Sequence, residues 1–239
     1  MKAFLLAAGY GTRLRPLTNT VPKCMVPIQG RPLLEWWFEL LRSHGVSEVL
    51  VNTHYLPEPV REYLQHWNRE NRGLTAHEFY EPSLLGSGGT IRANRSFVAG
   101  EESFLICYAD NLTDADLSAF QRFHLGHDGV LSMALFHTNL PQQCGIAALD
   151  REGRVVEFQE KPAHPKSNLA NAGMYIARQE LFRLLPEKPE LDFGKDVLPQ
   201  LVGRMYGWQT QGYLIDIGTK ENFERANREW RNDYYQDAP

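Results

Sequence analysis

The sequence is poor in cysteine. Its 239 residues include three, Cys24, Cys107 and Cys144, an odd number with no Cys-x-x-Cys pair. This spacing argues against a disulfide framework or a structural zinc site and is typical of a protein kept in a reducing compartment. We therefore expect a cytoplasmic protein.

Long hydrophobic runs and an excess of positive charge are also missing. The apolar run at 3–8 stops at Gly9 and is followed by Arg13 and Arg15, a pattern unlike a secretory signal. No apolar stretch approaches the roughly 20 residues that span a bilayer. With 25 Lys plus Arg against 29 Asp plus Glu, the net charge is −4, which argues against a general nucleic-acid binder. We expect neither membrane nor nucleic acid as a partner.

The first half of the chain alternates short apolar runs with helical patterns. Strands are predicted at 2–8, 49–51, 74–80 and 104–107, and helices at 33–44, 58–70 and 90–96. Alternation at this spacing is typical of βαβ units. It predicts an α/β fold with a mostly parallel mixed sheet flanked by helices.

The second half reads differently. Segments 144–149 and 153–159 flank a polar turn and predict an antiparallel hairpin. A strand at 172–177, helices at 179–185 and 193–202, a strand at 212–216 and a helix from about 219 follow. We expect one α/β domain over residues 1–239 with a small antiparallel extension.

The loop from Gly9 to Pro32 holds the densest group of glycine and charge. Glycines after a strand let backbone N–H groups approach phosphate oxygens closely. Leu14 stands where a dinucleotide fingerprint needs a third glycine, and the only Gly-Lys pair is followed by Asp196 rather than by Ser or Thr. What remains is a glycine turn with Arg13 and Lys23 ten residues apart, which suits a polyphosphate.

The string LAAGYGTRLRPLT at 6–18, followed by PKCMVP at 22–27, resembles the signature of the sugar-1-phosphate nucleotidyltransferases. The resemblance implies a Rossmann-like domain of the GT-A type. It also implies a nucleotide site that includes Leu6, Ala8, Gly9, Gly11 and Thr12. In this family Arg13 would stabilise the departing pyrophosphate, and Lys23 would neutralise the phosphates near the reacting centre.

Further motifs continue the resemblance to about residue 228. LGSGG at 85–89 resembles the family loop that contacts the nucleotide base, which implies roles for Gly86 and Gly88. YADN at 108–111 and DIGT at 216–219 resemble the motifs whose carboxylates bind magnesium. The resemblance therefore implies that Asp110 and Asp216 are catalytic ligands of Mg²⁺.

Three motifs in the second half resemble the family's sugar pocket. Gly145 matches a glycine that lines it, and NAGMY at 171–175 implies that Asn171 holds the sugar. EKP at 160–162 implies that Glu160 meets sugar hydroxyls and Lys161 the sugar phosphate. On this basis residues 1–135 form a nucleotide-binding half and residues 136–239 a sugar-binding half. The sequence shows no hexapeptide repeats, so we expect no C-terminal β-helix.

The implied reaction converts an NTP and a sugar 1-phosphate into an NDP-sugar and pyrophosphate. The loops look closest to mannose- or heptose-1-phosphate guanylyltransferases, which favours GTP. Ala109, Cys144 and Cys24 depart from common family residues and blur the preference for base and sugar.

Three alternatives stay open. They are a uridylyltransferase for a hexose or amino-sugar 1-phosphate, a cytidylyltransferase for a small alcohol phosphate, and an inactive nucleotide-binding regulatory relative. The sequence also leaves open whether the chain forms a homo-oligomer.

Overall fold

The computed structural model describes residues 1–231, and the last eight residues of the predicted domain lie outside this range. Its strands are β1 Lys2–Leu6, β2 Pro27–Ile28, β3 Arg31–Pro32, β4 Glu48–Thr53, β5 Thr75–Tyr80, β6 Ser103–Tyr108, β7 Asn111–Thr113, β8 Leu131–His137, β9 Gly145–Leu149, β10 Val155–Glu160, β11 Leu169–Arg178, β12 Met205–Gln209 and β13 Leu214–Asp216. Its α-helices are α1 Leu33–Ser43, α2 Pro57–Glu70, α3 Ser87–Ala93, α4 Leu117–Leu125 and α5 Lys220–Glu229.

The main sheet runs in the order β12-β8-β11-β6-β1-β4-β5. The neighbours β5, β4, β1 and β6 pair in parallel, and β8 pairs in parallel with β12. β11 lies antiparallel between β6 and β8, so six of these seven strands share one direction. The hairpin β9–β10 joins this sheet through β11. The predicted mostly parallel α/β sheet with an antiparallel extension is confirmed.

The sheet is covered on both faces. Along β1, Ala3 and Leu5 contribute to one core, while Phe4 and Leu6 contribute to the other, because side chains alternate across a strand. The first core contains residues of α1 and α2, among them Leu34, Phe38, Leu64 and Trp67. The second contains residues of α3 and of the chain after β11, among them Ile91, Leu181 and Phe193. Burial on both faces explains why β1 reads as a continuous apolar run.

Two predicted helices differ in the structure. The predicted helix at 179–185 is one 3₁₀ segment, Gln179–Arg183. The predicted helix at 193–202 is a π-helical turn, Phe193–Val197, followed by a 3₁₀ turn, Leu198–Leu201. The side chain of Asp192 accepts from the Lys195 amide at the start of the π-helical turn, and Pro199, in the 3₁₀ turn, cannot donate a backbone hydrogen bond.

The elements α4, β8 and β12 were not predicted from the sequence. A start signal for α4 was present, because Asp116 accepts a hydrogen bond from the Ala119 amide at 2.8 Å.

β7 and β13 form a small separate sheet, as do β2 and β3. Within residues 1–231, no helix combines the length and hydropathy that crossing a bilayer requires. The division of the domain at residue 135 stays a prediction.

A buried polar relay lies beneath β8. Ser132 Oγ lies 2.8 Å from both His124 Nδ1 and His127 Nε2, and His127 Nδ1 accepts from the Gly129 amide. His127 therefore donates from Nε2 to the hydroxyl, and Ser132 forms a second hydrogen bond with His124 Nδ1, whose direction depends on the His124 tautomer. Burial, reinforced by the Arg178 charge, lowers the pKa of His124 to about 3.

Because the pKa of His124 is lowered in the folded protein, we predict a loss of stability in mild acid. Below pH 6.5 the unfolded chain takes up a proton on His124 that the folded chain refuses, so the unfolding free energy falls as pH decreases. Between pH 7.5 and 5.0, His124→Asn should reduce that fall by about 1–2 kcal/mol, because Asn keeps an acceptor for Ser132 but does not titrate. Urea unfolding at both pH values measures it, with the exposed His66→Asn as control. An unchanged pH dependence in His124→Asn would contradict the assignment.

Candidate active site

The carboxyl ends of four parallel strands meet at one edge of the sheet. Leu6 ends β1, Asn52 lies near the end of β4, Glu81 follows β5, and Tyr108 ends β6. These residues line a cavity of about 300 Å³. Ligand sites in open α/β sheets are usually found at this edge.

The long loop after β1 folds as three single turns, Thr12–Leu14, Leu17–Asn19 and Lys23–Met25. Gly11 has φ +64°, and its carbonyl accepts a hydrogen bond from Thr18 Oγ1 at 2.7 Å. A Cβ atom at Gly11 would lie 3.0 Å from Thr18 Cγ2 and 3.3 Å from Lys23 Cβ. Glycine therefore allows the loop to close back and carry Lys23 to the end of β1.

Four charged side chains meet beside the cavity. Lys23 Nζ lies 2.7 Å from Asp110 Oδ2 and 3.3 Å from Asp216 Oδ1, and Arg13 lies 3.6 Å from Asp216 Oδ2. Pairing of β7 with β13 sets Asp216 opposite Asn111 and so brings two distant carboxylates together. Since both oxygens contact Lys23 Nζ, the distance between Asp110 Oδ2 and Asp216 Oδ1 is no more than the sum of these two contact distances.

The pKa of the Asp216 carboxyl group is subject to opposing effects. Burial and the neighbouring Asp110 raise its pKa, while Lys23 and Arg13 act in the lowering direction. The net effect is a raised pKa, which marks a site where negative charge is unfavourable without additional positive charge.

These carboxylates fit a hard divalent cation. Within the described residues, no group of three or more His, Cys, Asp and Glu side chains is placed to hold a metal. Asp110 and Asp216 would therefore supply two oxygen ligands, with substrate phosphates and water as the others. Mg²⁺ is commonly bound in this way.

The cavity floor is a buried hydrogen-bond network that the sequence analysis missed. Glu81 is 1% exposed, and its Oε1 accepts from Asn52 at 2.8 Å and from Thr90 at 2.5 Å. Its Oε2 accepts from the Leu85 amide at 3.0 Å. Asn52 also accepts from the Ala7 amide at 2.6 Å. The network ties the loop after β1 to the loop before α3.

Residues of the second half lie around Glu160, the last residue of β10. A Cβ atom at Gly145, opposite it in the β9–β10 pairing, would lie 2.7 Å from Glu160 Oε2. Burial is the main reason that the pKa of Glu160 is raised. Lys161 is exposed, has φ 49° and donates its amide to the Cys144 carbonyl at 3.0 Å. A non-glycine residue in this left-handed conformation is uncommon and costs free energy.

Asn171 is held by its own strand. Its side-chain amide donates to Tyr175 Oη at 2.6 Å, and its Oδ1 accepts from the Gly173 amide at 3.0 Å. Asn111 in turn donates to the Ala172 carbonyl at 3.0 Å. The Asn171 segment of β11 is thus connected to the chain that carries Asp110.

The comparisons with known proteins cover nearly the whole chain. The family model described as nucleotidyl transferase matches residues 2–233. The chain belongs to the nucleotidyl transferase family. The expected resemblance to sugar-1-phosphate nucleotidyltransferases is thereby confirmed.

Curated relatives of this nucleotidyl transferase differ in nucleotide and sugar. It is 32% identical to a UTP–glucose-1-phosphate uridylyltransferase of Synechocystis sp., with 95% of this chain and 63% of the relative covered. It is 30% identical to a D-glycero-α-D-manno-heptose 1-phosphate guanylyltransferase of Aneurinibacillus thermoaerophilus, with 96% and 98% covered. The chain thus spans less than two thirds of the first relative and nearly all of the second.

Solved structures agree on the fold. HddC from Yersinia pseudotuberculosis matches with TM-score 0.80 and 25% identity over 96% of this chain and 99% of that one. A UDP-glucose pyrophosphorylase from Acinetobacter baumannii matches with TM-score 0.80 and 22% identity, over 95% and 91%.

The expected nucleotide residues of this nucleotidyl transferase fall into two groups. Leu6, Ala8, Gly9 and Gly86 line the cavity, whereas Gly11, Thr12 and Gly88 are not among the residues that line it. The Gly88 amide donates to the Leu191 carbonyl at 2.8 Å, and a Cβ atom there would lie 2.9 Å from Leu191 Cγ. In this structure Gly88 therefore permits close packing of the chain before the π-helical turn.

Several lining residues were not predicted, namely Asn52, Glu81, Thr90, Tyr108, Glu190 and Asp192. A usable signal existed for the first two, because each stands at the end of a predicted parallel strand, where ligand sites collect. Glu190 and Asp192 reach the cavity through tertiary packing, for which the sequence gives no local pattern.

The close approach of Gly145 to Glu160 generates a prediction. Gly145→Ala should lower the unfolding free energy by about 1–3 kcal/mol, because its methyl group would press on the Glu160 carboxylate and the Phe158 ring. Chemical denaturation measures the change. Gly100→Ala is the matched control, since a Cβ atom there meets nothing within 4 Å. Equal stability of the two variants would show that Glu160 moves without cost.

Proposed function

We propose that this chain transfers a nucleotidyl group from an NTP to a sugar 1-phosphate and releases pyrophosphate. The observation that carries the proposal is the meeting of four charged side chains, of which Lys23 and Asp110 line the cavity and Asp216 and Arg13 lie beside them. The preferred substrates are GTP and a mannose- or heptose-type 1-phosphate. The protein acts in the cytoplasm and needs Mg²⁺.

The chemistry asks for charge neutralisation rather than for a general base. An oxygen of the sugar phosphate is already an anionic nucleophile; it forms a bond to the α-phosphorus while the bond to the β-phosphate oxygen breaks. Two polyanions must approach each other, and negative charge accumulates on the departing pyrophosphate. Positioning and electrostatic stabilisation therefore account for most of the rate enhancement.

The charged residues divide this task. Mg²⁺ held by Asp110 and Asp216 would act as a Lewis acid on phosphate oxygens. Lys23 binds phosphates beside the reacting centre, and Arg13 faces the departing pyrophosphate. Lys161, whose side chain is exposed, binds the incoming sugar phosphate.

The preference for GTP rests on the resemblance of the loops and on one relative, whereas Glu81 does not decide it. A carboxylate oxygen accepts about two hydrogen bonds, and Glu81 Oε2 receives one, from Leu85. The one remaining position would accept a ring N–H from guanine or from uracil. The guanylyltransferase relative, covered over 98% of its length, agrees with this preference. The uridylyltransferase relative makes UTP with a hexose 1-phosphate the second candidate.

A substrate matrix tests the function. The purified chain would be incubated with each of five NTPs and a panel of sugar 1-phosphates, with small alcohol phosphates included, and pyrophosphate release would be followed. GTP with a mannose- or heptose-type phosphate should give the highest kcat/KM, and Asp110→Asn should abolish release. No release with any pair, from protein shown to be folded, would favour the inactive regulatory relative.

Lys161 provides a prediction about one substrate. Lys161→Ala should lower kcat/KM for the sugar phosphate by a factor that corresponds to about 1.5–3 kcal/mol, because a charge-assisted contact is lost, and should leave NTP binding nearly unchanged. Steady-state kinetics with each substrate varied measures it. Lys166→Ala is the control, since it removes the same charge from an exposed lysine that pairs with Glu157. Lost NTP affinity with unchanged use of sugar phosphate would assign Lys161 to the other substrate.

Arg13 provides a prediction about the transition state. Its side chain is 65% exposed and lies 3.6 Å from Asp216, so it is free to follow developing charge. Arg13→Ala should lower kcat more than it raises KM for NTP, because its contact strengthens as pyrophosphate departs. Arg13→Lys should not restore the full rate, since an ammonium cannot make the two-pronged contact of a guanidinium. A kcat equal to that of the unmutated enzyme in folded Arg13→Ala would refute this role.

A further inference from the structure

We propose that Lys23 is the internal counter-ion of the metal site. Its ammonium group holds Asp110 and Asp216 together while no nucleotide is bound, and it has to leave them before a divalent cation can bind tightly. The inference rests on the proposed function for the identity of that cation. The contact of the Lys23 ammonium group with both carboxylates is observed directly in the distances given above.

The position of Lys23 is fixed by its surroundings. Its side chain is 11% exposed, in contrast to 65% for Arg13. Lys23 starts the single turn Lys23–Met25, in which the Val26 amide donates to the Lys23 carbonyl at 3.3 Å. Its Cβ atom packs against Gly11, where no side chain intervenes. The ammonium group is therefore delivered to the two carboxylates by a packed backbone.

The charges in the cluster already balance. Two carboxylates face two cations, since Lys23 contacts both Asp110 and Asp216, and Arg13 contacts Asp216. A divalent cation at the same oxygens would stand within a few ångströms of the Lys23 ammonium, in a partly buried place where such repulsion is poorly screened. Both cations compete for the same two ligands.

Nucleotide binding relieves this competition. The phosphates of an NTP offer Lys23 alternative anionic partners, and its four-carbon side chain is long and flexible enough to change partners. Once Lys23 binds phosphate, its charge no longer competes for Asp110 and Asp216, and both can serve as metal ligands. The site should accordingly have low affinity for a divalent cation alone and take it up together with the nucleotide.

Manganese binding without nucleotide tests this inference. Free Mn²⁺ would be measured by electron paramagnetic resonance during titration of the full chain at pH 8, where carboxylates are ionised. Lys23→Met should bind Mn²⁺ at least about tenfold more tightly than the unmutated chain, because the competing charge is gone. Adding Asp216→Asn to Lys23→Met should remove this gain, which locates the bound ion.

Lys195→Met is the matched control. The Lys195 charge acts on Glu160 and is not among the charges that shift Asp216, so this variant loses the same charge at a different place. Its Mn²⁺ affinity should stay within about twofold of that of the unmutated chain. An equal gain in Lys195→Met, or no gain in Lys23→Met, would overturn the counter-ion role. If Lys23→Met does not fold, Lys23→Gln provides the same comparison.

The titration contains no substrate, so its failure is separable from failure of the proposed function. If Lys23→Met gains affinity but no NTP and sugar phosphate pair releases pyrophosphate, the counter-ion stands and the proposed reaction falls. If pyrophosphate is released but Mn²⁺ binding does not respond to Lys23→Met, the reaction stands and Lys23 serves only as a phosphate ligand.

Discussion

Electrostatic repulsion between Asp110 and Asp216 is the constraint that shapes this end of the molecule. Both carboxylates stand at one edge of the sheet, and their proximity is acceptable because the Lys23 ammonium contacts both. That contact requires the loop after β1 to fold back on itself, with Gly11 in a left-handed conformation. It also requires β13 to return and pair with β7. The long loop after β1, the glycine at position 11 and the β7–β13 pairing therefore all contribute to bringing Lys23 and the two carboxylates together.

The antiparallel strand β11 connects this charged edge with the rest of the chain. It pairs with β6 on one side and with β8 and the start of β9 on the other. Asn171 lies on it, and Glu160 reaches the same region through the β9–β10 hairpin. A second connection runs through Leu191, which accepts from the Gly88 and Gly89 amides and donates to the Leu85 carbonyl. The chain after β11 is thereby held against the loop that opens α3.

The four members of the charged cluster could be named from the sequence because they stand in recognisable motifs, and their roles stay predictions. Lys23 and Arg13 lie in a glycine- and proline-rich loop, and Asp110 follows a short buried strand. Asp216 was predicted from its motif, and its pairing with Asn111 supplies the physical reason for its place. Glu81 was missed although it follows a predicted strand, because its partners Asn52 and Thr90 lie 29 and 9 residues away and form no local motif with it. The helix predicted at 193–202 failed because the Asp192 cap and Pro199 outweigh its apolar spacing.

The hydrogen bonds at the cavity floor explain why the sequence indicates the class of reaction more clearly than it indicates the base of the nucleotide. Most acceptor capacity of Glu81 is already used by Asn52, Thr90 and Leu85. If the proposed function holds and the base lies in this cavity, discrimination between bases would therefore depend on very few remaining hydrogen bonds. Each is worth about 1 kcal/mol net, although an unpaired buried group costs about 1–3 kcal/mol. Small changes around Glu81 would then be sufficient to alter base preference, while the charged cluster, which on the proposed function would face the phosphates of any NTP, stays the same. Relatives that differ in nucleotide can for this reason share one fold.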